Sequence, residues 1–247
     1  MYNIVITMGG MGSRFVRAGY RVPKYMIQVK GRTLFEWSII SLKNFVRPSN
    51  RFIFVVKAVD NARQFIIEKS KSIGIHDPYI LEIDGPTDGQ ATTAMLAKHL
   101  WESDKPLLIY NIDTHIHPDC IHPRHVRGEG WIPCFKAEGT SWSFVKLDEH
   151  GKVVEVREKQ RISDFATIGL YGFSSARLYE QLYDLYYCNN RNIEAGEKYV
   201  APLYNQLIDM GGFVCVHLVP NEKVHVMGTP EELKAFQNSD YMSDIGT

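Results

Sequence analysis

Short apolar runs alternate with helix-spaced segments along the first half of the chain. The run at 3–8 (NIVITM) precedes a glycine-rich loop, and residues 34–46 (LFEWSIISLKNFV) carry apolar side chains at helical spacing. Continuous apolar strands separated by helices predict a Rossmann-like α/β fold with a doubly wound, mostly parallel sheet. The same alternation continues through predicted strands at 51–58, 78–83 and 106–112 and helices at 60–74, with Asp60 as N-cap and Gly74 as stop, and at 89–102.

The second half of the chain follows a different pattern. Residues 142–158 indicate a hairpin with its turn at Asp148–Gly151, and 166–173 (ATIGLYGF) the next strand. We therefore predict a mixed, partly antiparallel second half, within one domain of two halves, 1–130 and 131–247. The remaining predicted elements are two helices, the second at 199–211, strands at 213–219 and 223–227, and a last helix opened by 229–233 (TPEEL).

Composition narrows the class of protein. The chain has 28 basic and 28 acidic side chains, which gives no global electrostatic reason to bind nucleic acid or an anionic membrane. The first residues lack the basic start of a signal peptide, and no apolar run approaches the roughly 20 residues of a membrane span. The 4 cysteines are widely spaced without a C-x-x-C, which favours reduced thiols. We expect a cytoplasmic globular protein.

The first loop is the clearest candidate for chemistry. Its sequence, VITMGGMGSRF at 5–15, lacks the P-loop pattern and has Phe15 where the dinucleotide fingerprint needs a third glycine. Loops after strands of a parallel sheet nevertheless bind phosphates at the carboxyl edge, where backbone N–H groups can converge on them. Arg14 would supply a forked positive charge and Lys24 a compact one. A tight turn without a ligand is the alternative for the loop alone.

The longer run resembles the opening signature of the sugar-phosphate nucleotidylyltransferases, the nucleotide-sugar pyrophosphorylases. It consists of G-x-G-x-R-F, then P-K at Pro23 and Lys24, then VKGRTLFEW. The resemblance implies that Arg14 and Lys24 are catalytic and that the loop binds a nucleoside triphosphate. The loop residues it assigns to the nucleotide are Met8, Gly9, Gly10, Gly12 and Ser13.

Two further segments continue the resemblance. TDGQATTA at 87–94 resembles the family segment under the nucleobase, which implies nucleotide contacts for Gly89 and Gln90. Taken alone, it is a helix start with Thr87 or Asp88 as N-cap. Asp113, just after the run LLIYNI, resembles the family's metal aspartate and implies a Mg²⁺ site, since hard carboxylates suit that ion. The alternative for Asp113 is a cap of the following turn.

The acceptor side of the resemblance lies in VREKQRISDFATIGLYGF at 156–173. It implies that Glu158 accepts sugar hydroxyls, that Lys159 binds the acceptor phosphate, and that Gly169 lets the acceptor lie against the strand. Gln160 stands where the family has proline. Without the resemblance, Glu158 and Lys159 are an exposed pair on a strand. Tyr199 and Tyr204, in EKYVAPLYNQLIDMGG, are either contacts or core, and core is favoured.

One family position is not matched. The family carries a second metal carboxylate two residues before G-T-P, where this chain has Val226. Valine cannot bind Mg²⁺, so either Asp113, phosphates and water suffice, another side chain substitutes, or catalysis is weakened. His225 is adjacent but is a poor magnesium ligand.

A zinc site is a separate hypothesis for another group of residues: His115, His117, Cys120, His122 and His125. The spacing of these residues favours a solvated loop instead.

The resemblance implies a nucleotidyltransferase that uses Mg²⁺. An acceptor phosphate would attack the α-phosphorus of a nucleoside triphosphate and release pyrophosphate, with residues 1–130 binding the nucleotide and 131–247 the acceptor. The sequences at 18–31 and 197–208 resemble those of family members associated with capsule or surface-polysaccharide precursors. The base, the acceptor and a homo-oligomeric state remain open. The alternatives are a cytidylyltransferase for a non-sugar phosphate, a non-catalytic nucleotide sensor and, less favoured, a glycosyltransferase.

Overall fold

The computed structural model of the chain describes residues 1–188, 192–194 and 196–241. Within them, ten strands form one sheet in the order β10-β9-β11-β8-β12-β6-β1-β4-β5, with β13 paired to β8, and two further strand pairs lie apart from it. The strands are β1 (Asn3–Thr7), β2 (Gln28–Val29), β3 (Arg32–Thr33), β4 (Arg51–Lys57), β5 (Tyr79–Ile83), β6 (Leu107–Asn111), β7 (Thr114–Ile116), β8 (Gly130–Lys136), β9 (Ser143–Leu147), β10 (Val153–Glu158), β11 (Phe165–Thr167), β12 (Leu170–Phe173), β13 (Val214–Leu218) and β14 (Val224–Val226).

The helices lie on both faces of this sheet. The α-helices are α1 (Ser13–Arg17), α2 (Leu34–Ile40), α3 (Arg63–Ser72), α4 (Gln90–Met95), α5 (Ala176–Tyr186), α6 (Leu203–Asp209) and α7 (Pro230–Asn238). Side chains alternate between faces along a strand, so Ile4 and Ile6 of β1 belong to one apolar cluster and Val5 to the other. The first cluster includes α2 and α3, and the second includes α4, α5 and α6.

The first half of the sheet is parallel. β1 pairs in parallel with β4 and β6, and β4 with β5. The second half is mixed, because β12 pairs antiparallel with β6 and β8 while β13 joins β8 in parallel. The predicted fold class, a Rossmann-like α/β sheet with a mixed second half, is therefore confirmed. The hairpin predicted at 142–158 is formed by β9 and β10.

Three local predictions were wrong. Asp60 does not cap a helix; α3 begins after Ala62, and the Asp60 carboxylate accepts a hydrogen bond from the buried Tyr25. Neither Thr87 nor Asp88 is the N-cap of α4; that position is Gly89. The strand predicted at 166–173 is two strands, β11 and β12, because Gly169 adopts a positive φ of 79° between them.

Neighbouring parallel strands end at the same edge of a sheet. The loop after β1, residues 8–12, and Asp113, shortly after β6, therefore meet at the carboxyl edge of the parallel half. No helix in the described part of the chain is long and apolar enough to cross a membrane.

Candidate active site

An ion pair marks the centre of this edge. The Nζ atom of Lys24 lies 2.5 Å from Oδ2 of Asp113, and about one fifth of each side chain is exposed. Lys24 opens a short 3-10 turn, Lys24–Met26, whose Tyr25 is buried and donates a hydrogen bond of 2.9 Å to Asp60. The backbone under Lys24 is therefore tied to the loop after β4, and the two residues predicted as catalytic lysine and metal aspartate are in direct contact.

The first of two adjoining cavities lies over the glycine loop. It has a volume of about 390 Å³, and Gly9, Gly10 and Met11 form part of its wall. Gln90 donates through Nε2 to Oγ1 of Thr7 at 3.1 Å, which fixes its amide against the end of β1. The other lining residues are Thr7, Lys24, Pro86, Thr87, Gly89, Gln90, Thr93, Asn111, Ile112, Asp113 and Glu197.

Not every predicted loop residue lines this cavity. The side chain of Met8 is buried in the apolar core, and Gly12 is the N-cap of α1 with a φ of 61°. Ser13 is exposed at the start of the same helix, and Arg14 lines the second cavity. Gly9, Gly10, Gly89 and Gln90 do line the first cavity, as the predicted nucleotide contacts require.

The second cavity, of about 480 Å³, is lined by the residues predicted to bind the acceptor. Glu158, Lys159 and Gly169 are part of its lining, together with the hydroxyl-bearing residues Ser143, Thr167, Tyr171 and Tyr199. This combination of carboxylates, cations and several hydroxyl-bearing side chains suits a small phosphorylated ligand rich in hydroxyl groups.

Glu158 is the buried carboxylate of this cavity. Its side chain is 8% exposed, and Ser143 donates a short hydrogen bond to it. Burial raises the pKa of Glu158, while the Ser143 hydrogen bond and the charge of Lys159 act in the opposite direction. A ligand hydroxyl would find here an acceptor that is already partly desolvated.

Lys159 is held by its neighbours in an uncommon backbone conformation. Its φ is 50°, its N–H donates to the carbonyl of Trp142, and its Nζ lies 2.5 Å from the hydroxyl of Tyr199. The ammonium also stands over the Tyr199 ring, 4.6 Å from the centroid. Tyr199 is thus a contact of the site, whereas Tyr204 is fully buried in the core.

Three residues, Gln90, Asn111 and Asp113, line both cavities and mark their junction. A Cβ atom at Gly169 would overlap the side-chain amide of Asn111, so the glycine makes room for that amide. Oδ1 of Asn111 is buried and has no hydrogen-bond partner among the described residues. The lining of the junction therefore contains a buried amide oxygen without a hydrogen-bond partner among the described residues, together with the Asp113 carboxylate.

A second carboxylate faces the same junction from α7. A Cβ atom at Gly228 would lie 3.2 Å from Oδ2 of Asp113 and 3.4 Å from Oε2 of Glu232. Burial and the nearby charge of Asp113 raise the pKa of Glu232, although hydrogen bonds from the helix N-terminus oppose them. The sequence signal was available: Glu232 stands three residues after the N-cap Thr229, where a side chain turns back toward the loop before the helix.

The donor set at the junction fits a hard divalent cation. Asp113, Glu232 and the Asn111 amide supply oxygen atoms only, which Mg²⁺ prefers, and substrate phosphates and water commonly complete its shell. Val226 lines the second cavity without a ligand atom. No cluster of three or more His, Cys, Asp or Glu side chains suited to a metal occurs in the described residues.

One histidine of the histidine-rich segment, His115, packs in the interior instead of lying on a solvated loop. His115 is buried, with Nδ1 at 2.8 Å from the carbonyl of Trp37 and Nε2 at 2.9 Å from the hydroxyl of Tyr241. Burial lowers the pKa of His115 to about 3. His225 stacks beside it, outside both cavities. Among the described residues, the zinc hypothesis finds no ligand cluster.

Solved structures of nucleotidyltransferases share this fold. The chain is similar to the nucleoside-diphosphate-sugar pyrophosphorylase from Vibrio cholerae RC9, with 37% identity over 96% of this chain and 100% of that one and a TM-score of 0.87. The chain belongs to this pyrophosphorylase family, and it is an enzyme of the nucleotidyltransferase class. No family model and no curated protein matches it.

Two more distant solved structures share the fold. The inositol-1-phosphate CTP transferase from T. maritima is 17% identical over 94% of this chain and 91% of its own, with a TM-score of 0.74. A protein described as a glucose-1-phosphate thymidylyltransferase from Bacillus anthracis, solved in complex with a sucrose, is 13% identical over 98% of both chains, with a TM-score of 0.77.

Proposed function

We propose that this enzyme transfers the nucleotidyl group of a nucleoside triphosphate to a sugar phosphate or a similar small phosphorylated acceptor and releases pyrophosphate. The observation that carries the proposal is the Lys24–Asp113 pair at the junction of two cavities, each of a size for one small ligand. In-line transfer needs the α-phosphate and the attacking oxygen to meet at one point. We propose that the junction is that point.

The first cavity would hold the nucleotide. Backbone N–H groups of the glycine loop and the ammonium of Lys24 would contact its phosphates, and Gly89 and Gln90 would contact its base or ribose. Arg14, whose side chain lines the second cavity, would face the phosphates from the acceptor side. These groups stabilise charge that develops during transfer.

The second cavity would hold the acceptor, with Lys159 on its phosphate and Glu158 on its hydroxyls. A choline-like cation is a poorer fit, although Trp142 and Tyr199 are aromatic. The Tyr199 ring is already covered by the Lys159 ammonium, and the Trp142 ring packs edge-on against Phe135. A polyhydroxy acceptor uses the polar groups that remain.

Mg²⁺ would bind at the junction through Asp113 and Glu232, with the Asn111 amide oxygen beside them. When bound, it would supply positive charge to the phosphate oxygens and to the departing pyrophosphate. The chain's own residues position and neutralise charge. An acceptor phosphate is ionised at neutral pH, so the reaction needs no general base.

We further propose that the product serves the synthesis of capsule or surface-polysaccharide precursors. The likeness of 18–31 and 197–208 to family members of that kind supports this proposal. Nucleoside triphosphates are cytoplasmic metabolites, and we propose that the enzyme acts there.

The test is a matrix of pyrophosphate release. ATP, GTP, CTP, UTP and dTTP would each be combined with Mg²⁺ and with sugar 1-phosphates, inositol 1-phosphate and phosphocholine. We expect one productive pair whose acceptor is a sugar or cyclitol phosphate. Turnover with phosphocholine and CTP would instead support the non-sugar cytidylyltransferase. Tight nucleotide binding without turnover on any acceptor would contradict the proposal and favour a nucleotide sensor.

A further inference from the structure

Lys198 is a buried lysine that lines neither cavity, although its two chain neighbours do. Glu197 lines the first cavity and Tyr199 the second. The Lys198 side chain is 11% exposed and its Nζ lies 2.9 Å from Oδ2 of Asp88. The rings of Tyr183 and Tyr187 also face its ammonium, each with its centroid 5.8 Å away. The residue is fixed in place between the two ligand cavities.

The backbone of Lys198 holds the loop of the first cavity on both sides. Its N–H donates to the carbonyl of Asp88 at 2.6 Å, and its carbonyl accepts from the N–H of Ala91 at 3.0 Å. Gly89 lies so close between them that a Cβ atom there would overlap the Lys198 carbonyl. The shape of the loop 88–91 therefore depends on where Lys198 lies.

The next residue carries this connection to the second cavity. The hydroxyl and ring of Tyr199 hold the ammonium of Lys159. A displacement of Lys198 would thus move the nucleotide loop and the acceptor lysine together. The contacts form a continuous chain from Asp88 through Lys198 and Tyr199 to Lys159.

We propose that Lys198 is a positioning residue that couples the two cavities, so that nucleotide bound against the loop 88–91 orders Lys159 for the acceptor. The inference rests on the proposed function, which assigns the nucleotide to the first cavity. Coupling between sites is reciprocal, so the acceptor raises nucleotide affinity by the same factor. Factors of about 5- to 150-fold are typical of such coupling.

The experiment measures amide hydrogen exchange with and without nucleotide. Wild type would be incubated with Mg²⁺ and each of ATP, GTP, CTP, UTP and dTTP in turn, and exchange would be followed at segments 85–95 and 155–162. In wild type we expect the nucleotide that binds to slow exchange at both segments. In Lys198→Met we expect slowing at 85–95 alone, with loss of the effect at 155–162.

Two further variants separate positioning from loss of structure. Lys198→Arg keeps the charge and should restore the effect at 155–162. Lys69→Met is the matched control, because it removes another lysine paired with a carboxylate, Glu36 at 3.1 Å, away from both cavities. If Lys198→Met does not fold, Asp88→Asn removes the same ion pair by changing its more exposed member. This variant should also lose the nucleotide-induced slowing of exchange at 155–162.

The outcomes distinguish the two proposals. A nucleotide that binds wild type but leaves 155–162 unchanged would overturn the coupling and leave the proposed function standing. Equal protection in wild type and Lys198→Met would do the same. Failure of every nucleotide to bind wild type would overturn the proposed function, and the coupling with it.

Discussion

At the scale of single residues, Lys24 has the most direct of the proposed roles. Its ammonium contacts Asp113 at the junction of the cavities, and its backbone is tied down through Tyr25 and Asp60. We expect Lys24→Ala to lower kcat by about a hundredfold or more, the loss typical when one preorganised charge is removed. The substitution should leave the fold intact, since Asp113 is partly exposed and can be hydrated.

Pyrophosphate release by the productive substrate pair, together with circular dichroism, checks this expectation. Lys69→Ala provides the control for loss of a paired lysine outside the site. Turnover of Lys24→Ala within a few-fold of wild type would remove Lys24 from the catalytic group.

Glu232 is the residue that motif reasoning did not assign. If it shares a cation with Asp113, Glu232→Gln should weaken Mn²⁺ binding by about tenfold or more, since even outer-shell partners of a metal have effects on that scale. Glutamine keeps the capping geometry at this helix position, so the fold should be preserved. Free Mn²⁺ would be counted by electron paramagnetic resonance with nucleotide present.

The neighbouring substitution Glu231→Gln is the matched control, because it removes the same charge from an exposed side chain on the same turn. Adding Val226→Asp to Glu232→Gln should restore Mn²⁺ binding, since Val226 lines the same cavity. Equal Mn²⁺ affinity in wild type, Glu231→Gln and Glu232→Gln would leave Asp113 as the only carboxylate ligand.

Glu158 should show a conflict between stability and binding. Burial raises the pKa of Glu158 in the folded state above its usual value. At a pH above that raised pKa, the ionised carboxylate lowers the free energy of unfolding. This destabilisation is lost as the pH falls through the folded-state pKa, because the carboxylate takes up a proton. Glu158→Gln should therefore have a higher melting temperature than wild type at about pH 8. In a protein of this size, a change of about 1 kcal/mol in the free energy of unfolding shifts the melting temperature by about 2–4 °C. The difference should vanish in acid, where both side chains are neutral.

Thermal unfolding across pH checks the stability effect, and KM for the acceptor checks the functional one, which should rise in Glu158→Gln. If the variant melts below wild type at neutral pH, the Ser143 hydrogen bond and the Lys159 charge stabilise ionised Glu158 by more than burial destabilises it.

At the scale of elements, apolar patterns predicted β1, β4 and β6 of the parallel half because most of their residues are buried on both faces of the sheet. The break between β11 and β12 was not predicted, because the apolar run continues through it. Its cause is distant in sequence: Asn111 occupies the space where a Cβ of Gly169 would lie. Asp60 was assigned as a helix cap for a similar reason, since its partner Tyr25 lies 35 residues away.

The loop before α4 gives an element-scale prediction. Gly89 has a φ of 136° and no room for a Cβ against the Lys198 carbonyl. We expect Gly89→Ala to destabilise the fold by about 1–3 kcal/mol or more, the cost of one strained backbone site. Nucleotide affinity should fall as well, because the loop lines the first cavity.

Gly85→Ala is the control in the same loop, because a Cβ there meets nothing within 4 Å. Denaturant unfolding and nucleotide titration of both variants check the expectation. Equal stability of Gly89→Ala and Gly85→Ala would show that the loop rearranges freely around Lys198.

At the scale of the whole molecule, the sequence predicted which elements reach the carboxyl edge but not every contact formed there. Lys24 and Asp113 were assigned to one site from motifs, although 89 residues separate them. The partnership of Tyr199 with Lys159 carries no local signal, and the helix-start position of Glu232 does not by itself predict its approach to Asp113. The first contact depends on packing within the second half. The second depends on how the second half packs against the first, which periodicity does not specify.

That packing leads to a proposal about folding. Residues 1–130 and 131–247 share one sheet, since β12 pairs with β6 from Leu170↔Tyr110 to Phe173↔Leu107. Both apolar clusters also combine residues from the two halves. We propose that the halves unfold as one cooperative unit, even though chains of this length often populate intermediates.

Leu182→Ala tests this proposal from the second half. Leu182 of α5 is fully buried, so its truncation should cost about 2–5 kcal/mol. If unfolding is cooperative, amide exchange in β4, which lies in the first half, should accelerate by the same factor as exchange in β9, because both report the same global opening. Acceleration confined to β9 would mean that the acceptor half opens while the nucleotide half stays folded, and the ligand cavities would then belong to two separately stable units.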